Sequence, residues 1–119
     1  MVNCFKISEV YMFLVRRICK VERKDIWKVA SMLHQICNEY EEQGRTEATI
    51  YVMGFSTPSE TFGVCAEWKQ ESLEAINFTK VPDKIKSSLS AELMDIVDSY
   101  EIEFHEIVTK EKLKDRGLI

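Results

Sequence analysis

Glycine and proline are scarce in this chain of 119 residues, four and two respectively, and histidine occurs twice. Gly44, Gly54 and Gly63 form no G-x-G-x-x-G and no Walker-type run, so no phosphate-cradling loop is encoded. A G-x-S-x-G elbow and an H-E-x-x-H pair are both missing, which removes two well-marked hydrolytic chemistries. Cys4, Cys19, Cys37 and Cys65 make no C-x-x-C and stand at no zinc-type spacing. They read as reduced packing thiols of a cytosolic protein, and nothing in the pattern asks for a metal or a cofactor. The apolar run Val10 to Val15 is six residues long and stops at Arg16 and Arg17, too short to span a membrane. No targeting segment is recognisable, and a cytoplasmic protein without a membrane partner is the expectation. Positive charge is not in excess: 16 Lys and Arg against 20 Asp and Glu give a net charge of −4. The two signs alternate along the chain, which argues against a nucleic-acid partner held by electrostatics.

What is present is an ordinary globular composition, 45% hydrophobic and 30% charged, with one domain expected over 1–119. Its core is expected at about 10–109, with 1–9 as an arm and 110–119 as a tail that frays or caps the fold as a helix. The organising stretch is Thr46 to Ile76. Two β-branched and aromatic runs, Thr46 to Phe55 and Thr61 to Gln70, flank Ser56-Thr-Pro-Ser-Glu60 and predict a hairpin. Before it, Val10 to Val21 reads as a strand apolar on both alternating sets, Met12, Leu14, Ile18 and Phe13, Val15, Cys19, which belongs in the middle of a covered sheet. Asp25 is the expected N-cap of a long amphipathic helix with Ile26, Val29, Ala30, Leu33, Ile36, Cys37 and Tyr40 on one stripe, ending at Gly44 in a left-handed C-cap position. After the hairpin, Glu71 to Ile76 predicts a short helix and Asn77 to Pro82 a break. A second helix begins between Asp83 and Ser90, with Ile85 extending its stripe and Leu89, Leu93, Ile96, Val97 and Tyr100 forming it. Glu101 to Thr109 reads as a last strand, punctuated by Glu101, Glu103 and Glu106 as edge strands are. The order β-α-β-β-α-β is that of the ferredoxin-like α+β unit, a four-stranded antiparallel sheet with helices on one face.

Chemistry-bearing candidates are few. Arg16 and Arg17 interrupt the central strand and must point to opposite faces. Glu67 on a neighbouring strand is the natural partner, either as a structural pair, the favoured reading, or as the floor of an anion or carbonyl site. Trp68 either stacks on a planar ligand or anchors the short helix by burying a large apolar area, the second being favoured. His34 follows core-facing Leu33 and reads as a surface histidine, and His105 has no Ser, Cys or Asp paired with it by a motif. Arg16, Arg17, Glu67, Trp68 and His105 are therefore the candidate ligand-binding residues, and no catalytic residue is assigned.

The long first helix, the strand ending in Glu67-Trp68 and the Ser72-Leu-Glu-Ala-Ile76 turn resemble the dimeric α+β barrel superfamily, which includes NIPSNAP-like and antibiotic-biosynthesis monooxygenase-like proteins and haem-degrading enzymes. That resemblance covers about 10–109 and implies two sheets packed back to back in a homodimer, with members ranging from cofactor-free oxygenases to proteins of unknown role. The haem-degrading branch implies a Trp on the third strand, matched by Trp68, an Asn near the first strand, where Arg16 and Arg17 stand, and a His on the second helix, where none occurs. Thr61 to Trp68 with Ser72 to Ile76 also resembles the RNA recognition motif. Its stacking positions fall on Val64 and Glu67.

The expectation is a homodimer that binds a small organic molecule between sheet and helices, whether it is an enzyme being left open and cofactor-independent oxygenase-like chemistry being the candidate activity. A non-catalytic assembly protein is the alternative, and an RNA-binding module a third reading. Assembly follows from patterning: Met12, Leu14, Ile50, Val52, Phe62, Val64, Ile102 and Phe104 on one parity and Phe13, Val15, Tyr51, Met53, Phe55, Cys65 and Ile107 on the other leave one apolar face beyond what two helices cover. A second sheet covers it most simply, the arm or the tail being the alternative.

Overall fold

The computed structural model describes residues 12–73 and 89–119. The arm 1–9 with Cys4, the beginning of the expected first strand, the helical stretch 74–76, the break 77–82 and the expected early turns of the second helix, with Ile85, lie outside the described residues. Within them β1 (Phe13–Lys20), α1 (Ile26–Glu42), β2 (Thr49–Met53), β3 (Gly63–Gln70), α2 (Ser90–Ile96) and β4 (Ser99–Glu106) follow in β-α-β-β-α-β order, and α3 (Lys110–Asp115) comes after them. The sheet order is β2-β3-β1-β4 and every neighbouring pair is antiparallel. β1 and β3 are thus central, as two apolar alternating sets on β1 require, and β4 is an edge.

Register decides which sets share a face. Val15 stands opposite Trp68 and Phe104, Arg17 opposite Ala66 and Ile102, and Cys19 opposite Val64 and Tyr100. The odd residues of β1 therefore join the even residues of β2, β3 and β4 on the face that carries the helices. α1 lays Ile26, Val29, Ala30, Leu33, Ile36 and Cys37 on it, with Met32 also buried. One cluster joins Cys19, Val21 and Val64 to α1 and to Leu93 of α2. A smaller one joins Val15, Cys37, Ala66 and Trp68. The described cysteines Cys19, Cys37 and Cys65 are free and buried, acting as small hydrophobes.

Geometry requires glycine at positions 44 and 63. Gly44 takes φ of 101° just past α1, where its amide and that of Arg45 donate to the carbonyls of Glu41 and Tyr40 and close the helix. Gly63 pairs with Lys20, and a Cβ there would come within 2.5 Å of the Cys19 carbonyl oxygen.

The structure departs from the sequence reading in four places. Asp25 occupies the N-cap position of α1, but its side chain caps nothing, because a 3-10 turn at Arg23–Asp25 leads into the helix. Tyr100 belongs to β4, opposite Cys19, rather than to the second helix: the chain turns extended at Val97, and the Asp98 amide donates to the Lys20 carbonyl at 2.8 Å, starting the ladder. The last strand runs correspondingly earlier, ending at Glu106, and Thr109 instead caps α3 by accepting from the Lys112 amide at 3.2 Å. Finally, the helix-free face is mixed rather than apolar. Leu14, Ile18, Tyr51 and Met53 flank a band of charged side chains along its middle.

Candidate functional site

That band is built by register. Arg16, at the middle of β1, has Glu67 of β3 directly across on one side and Glu103 of β4 directly across on the other. Directly opposed side chains in an antiparallel pair approach to about 5 Å at Cβ, so a long guanidinium can reach both carboxylates. Arg16 Nη1 donates to Glu103 Oε1 at 3.2 Å and Nη2 to the Tyr51 hydroxyl at 3.2 Å. Its Nε lies 3.3 Å from Glu67 Oε1, close enough to ion-pair but off the line a hydrogen bond needs. The Tyr51 hydroxyl in turn donates to Glu67 Oε1 at 3.1 Å, and His105 Nε2 lies 3.0 Å from Glu103 Oε1. Tyr51, Glu67, Arg16, Glu103 and His105 form one connected chain across all four strands. Cys65, fully buried, sits in register between Ile18 and Tyr51 beneath it.

The electrostatics follow from these contacts. The Tyr51 hydrogen bond, opposed by burial, pushes Arg16 further up, so the guanidinium stays charged at any accessible pH. Burial, with the Cys65 thiol and Glu67 adding to it and Arg16 opposing, pushes the Tyr51 phenol up to about 12. Glu103 is held below the ordinary carboxylate range, first by its hydrogen bond with His105 and also by Arg16. Side-chain exposures of 29% for Arg16 and 32% for Glu67 leave the pair partly solvated, worth about 0–1 kcal/mol in an isolated chain. Chemically, Arg16 is paired with a carboxylate on each side, so its charge is neutralised within the sheet. The group left facing outward is the half-exposed His105 imidazole oriented by Glu103, which can accept a proton.

Of the five residues singled out in the sequence, Arg16, Glu67 and His105 meet here, and Tyr51 and Glu103 complete the chain. Neither carries a motif, and only the register between strands identifies them. Arg17 and Trp68 lie on the other face. Trp68 is 4% exposed, donates from Nε1 to Gln70 Oε1 at 2.9 Å and is covered by the Arg45 guanidinium at 4.2 Å from its ring centroid. Positions 64 and 67, where stacking rings would stand in an RNA recognition motif, hold a valine buried on the helix-bearing face and a glutamate tied to Arg16.

A groove of about 580 Å³ opens between α1 and the edge strand β2, lined by Trp27, Ala30, Ser31, His34, Ile50, Tyr51 and Val52. Trp27 is 57% exposed at its rim and meets Phe55 edge-on, with ring centroids 5.8 Å apart. Among the described residues no group of three or more His, Cys, Asp or Glu side chains is placed to hold a metal ion, and no helix is long and apolar enough to cross a membrane.

No protein-family model matches the chain, and no curated protein matches it. Among solved structures it is similar to a dimeric ferredoxin-like protein from an uncultured marine organism, with a TM-score of 0.61 over 89% of this chain and 96% of that one, at 14% identity. The fold is ferredoxin-like. A conserved protein of unknown function from Bacteroides thetaiotaomicron VPI-5482, described as a possible oxidoreductase, matches with a TM-score of 0.57 over 82% of this chain and 99% of that one, at 13% identity. At such identities the ferredoxin-like likeness carries architecture and no activity.

Proposed function

We propose that this ferredoxin-like chain works as a homodimer of the dimeric α+β barrel type, its two sheets packed through their helix-free faces, and that it binds a small organic molecule in the groove between α1 and β2. The observation that carries the reading is the helix-free face. Half-buried Leu14, Ile18, Tyr51 and Met53 give it apolar surface, while its central arginine is already paired on both sides, so a second copy can cover it without stranding that charge. The dimeric state of the similar marine protein supports a homodimer. For the ligand, a concave site of several hundred Å³ with an apolar floor and a few polar groups is the usual form of a small-molecule pocket, and the α1–β2 groove supplies Ile50 and Val52 as floor with Ser31 and His34 as polar groups. An oxygenase-like activity, in line with the oxidoreductase description of the Bacteroides protein, would act on a molecule held in that groove, apart from the His105–Glu103 pair on the opposite face and edge of the sheet.

Native mass spectrometry of freshly purified protein, followed by a thermal-shift screen against a metabolite panel, tests this. A dimer carrying a small molecule, or one stabilised by panel compounds and no longer so after Trp27→Ala, is the expected result. A dimer that neither carries nor takes up any small molecule would favour the non-catalytic assembly protein.

A further inference from the structure

Arg16 and Arg17 are neighbours in the chain and opposites in circumstance. Arg16 holds two carboxylates and a phenol; Arg17, on the helix-bearing face, forms no ion pair with any described carboxylate. Its Nε is buried and has no hydrogen-bond partner. Its guanidinium lies over the Tyr100 ring, 5.3 Å from the centroid. Register surrounds it with apolar side chains: Val15 and Cys19 along β1, Ala66 across on β3, and Ile102 across on β4 between Tyr100 and Phe104. The nearby acids do not supply a negative charge. Burial holds the Tyr100 phenol above its ordinary value although Arg17 opposes it, and burial pushes the Cys19 thiol up to about 11, so both are neutral at physiological pH. A half-buried cation in such surroundings bears a desolvation penalty that no described carboxylate offsets.

On the solvent side of this arginine the sheet leaves hydrophobic surface open. Ile102 is 38% and Phe104 48% exposed, on the same face and within one register step of Arg17. A cation at the edge of an apolar strip is complementary to a molecule with one negative end and an apolar body. The planar fork of a guanidinium matches a carboxylate in two parallel hydrogen bonds, and because the described cations Arg45 and Lys112 on this face are tied to Glu41 and Glu106, the charge to be met is the single one of Arg17.

We propose that Arg17 anchors a further binding site, distinct from the α1–β2 groove, that takes a small organic carboxylate with its apolar body lying along Ile102 and Phe104. The site needs neither the dimer nor the groove.

Isothermal titration of the full chain with hexanoate and benzoate, against hexanamide and benzamide as neutral twins, reads it directly. The acids should bind the unmodified protein at least about tenfold more tightly than the amides. Arg17→Met should abolish that preference and Arg17→Lys should keep part of it. Without ligand, Arg17→Met should melt at or above the unmodified protein, because it replaces an unneutralised cation by an apolar chain of similar length. The proposal is overturned if no acid binds, if acid and amide bind equally, or if the preference survives Arg17→Met. It is equally overturned if Arg17→Met melts well below the parent or fails to fold, since Arg17 would then already have its counter-charge within the chain.

Discussion

Trp68→Ala should be the most damaging single substitution on β3, and its size can be worked from the structure. A tryptophan buries about 200 Å² of surface, and at about 25 cal/mol per Å² its burial contributes about 5 kcal/mol. Alanine retains a fraction of that area. The vacated space lies against Val15, Cys37 and Ala66, between a paired strand and a long helix, so it cannot collapse fully. Two further losses push the same way: Gln70, 3% exposed, loses the Nε1–H that its Oε1 accepts, and Arg45 loses the ring it covers. The expected cost is about 3–5 kcal/mol. Urea unfolding followed by circular dichroism is the suitable assay, because the remaining Trp27 is 57% exposed and would report burial poorly. Trp68→Phe, which keeps a ring but removes the donor, should fall well short of the alanine cost. A loss below about 1 kcal/mol for Trp68→Ala, with an unchanged slope against urea, would refute the packing argument.

Three other outcomes are expected. Gly63→Ala should destabilise the fold by about 1–3 kcal/mol in the same urea assay, because its methyl group meets the Cys19 backbone carbonyl and neither strand can move without breaking the β1–β3 ladder; a neutral result would mean that the ladder yields there. Glu67→Gln should cost at most about 1 kcal/mol in a dilute monomer, since Arg16 keeps Glu103 and Tyr51, yet should weaken dimerisation measurably, and equal effects on both would contradict burial of this face between copies. Glu103, with its folded pKa lowered, contributes stability that is present above its unfolded value and lost as pH falls through the folded one. Carboxyl NMR should therefore place the Glu103 midpoint below that of an ordinary glutamate, and His105→Ala should raise it; a midpoint at the ordinary value would remove the His105–Glu103 contact from the account.

Much of the architecture was legible because it rests on local periodicity. The stripe Ile26, Val29, Leu33, Ile36 can only be an amphipathic helix, and two alternating apolar sets put the Phe13–Lys20 strand in the sheet centre. That Glu67 pairs with one of the two β1 arginines was also accessible, but that it is Arg16 and not Arg17 is decided only by register. Tyr51 and Glu103 were not, because they join the site through pairing register, and a one-residue slip would send each to the other face. Tyr100 was misplaced for a related reason: its spacing from Leu93 and Ile96 suits a helix, and only the strand pairing that begins at Asp98 overrides it.

The central claim is that a second copy of this chain covers the helix-free sheet face. Sedimentation equilibrium at micromolar concentration measures it most directly, on the full chain and on Leu14→Lys, which places an added charge on that face opposite His105. A mass of twice 13.9 kDa for the parent, falling toward 13.9 kDa for Leu14→Lys with its melting curve intact, is the predicted result. A parent that sediments as a 13.9 kDa monomer would contradict the account.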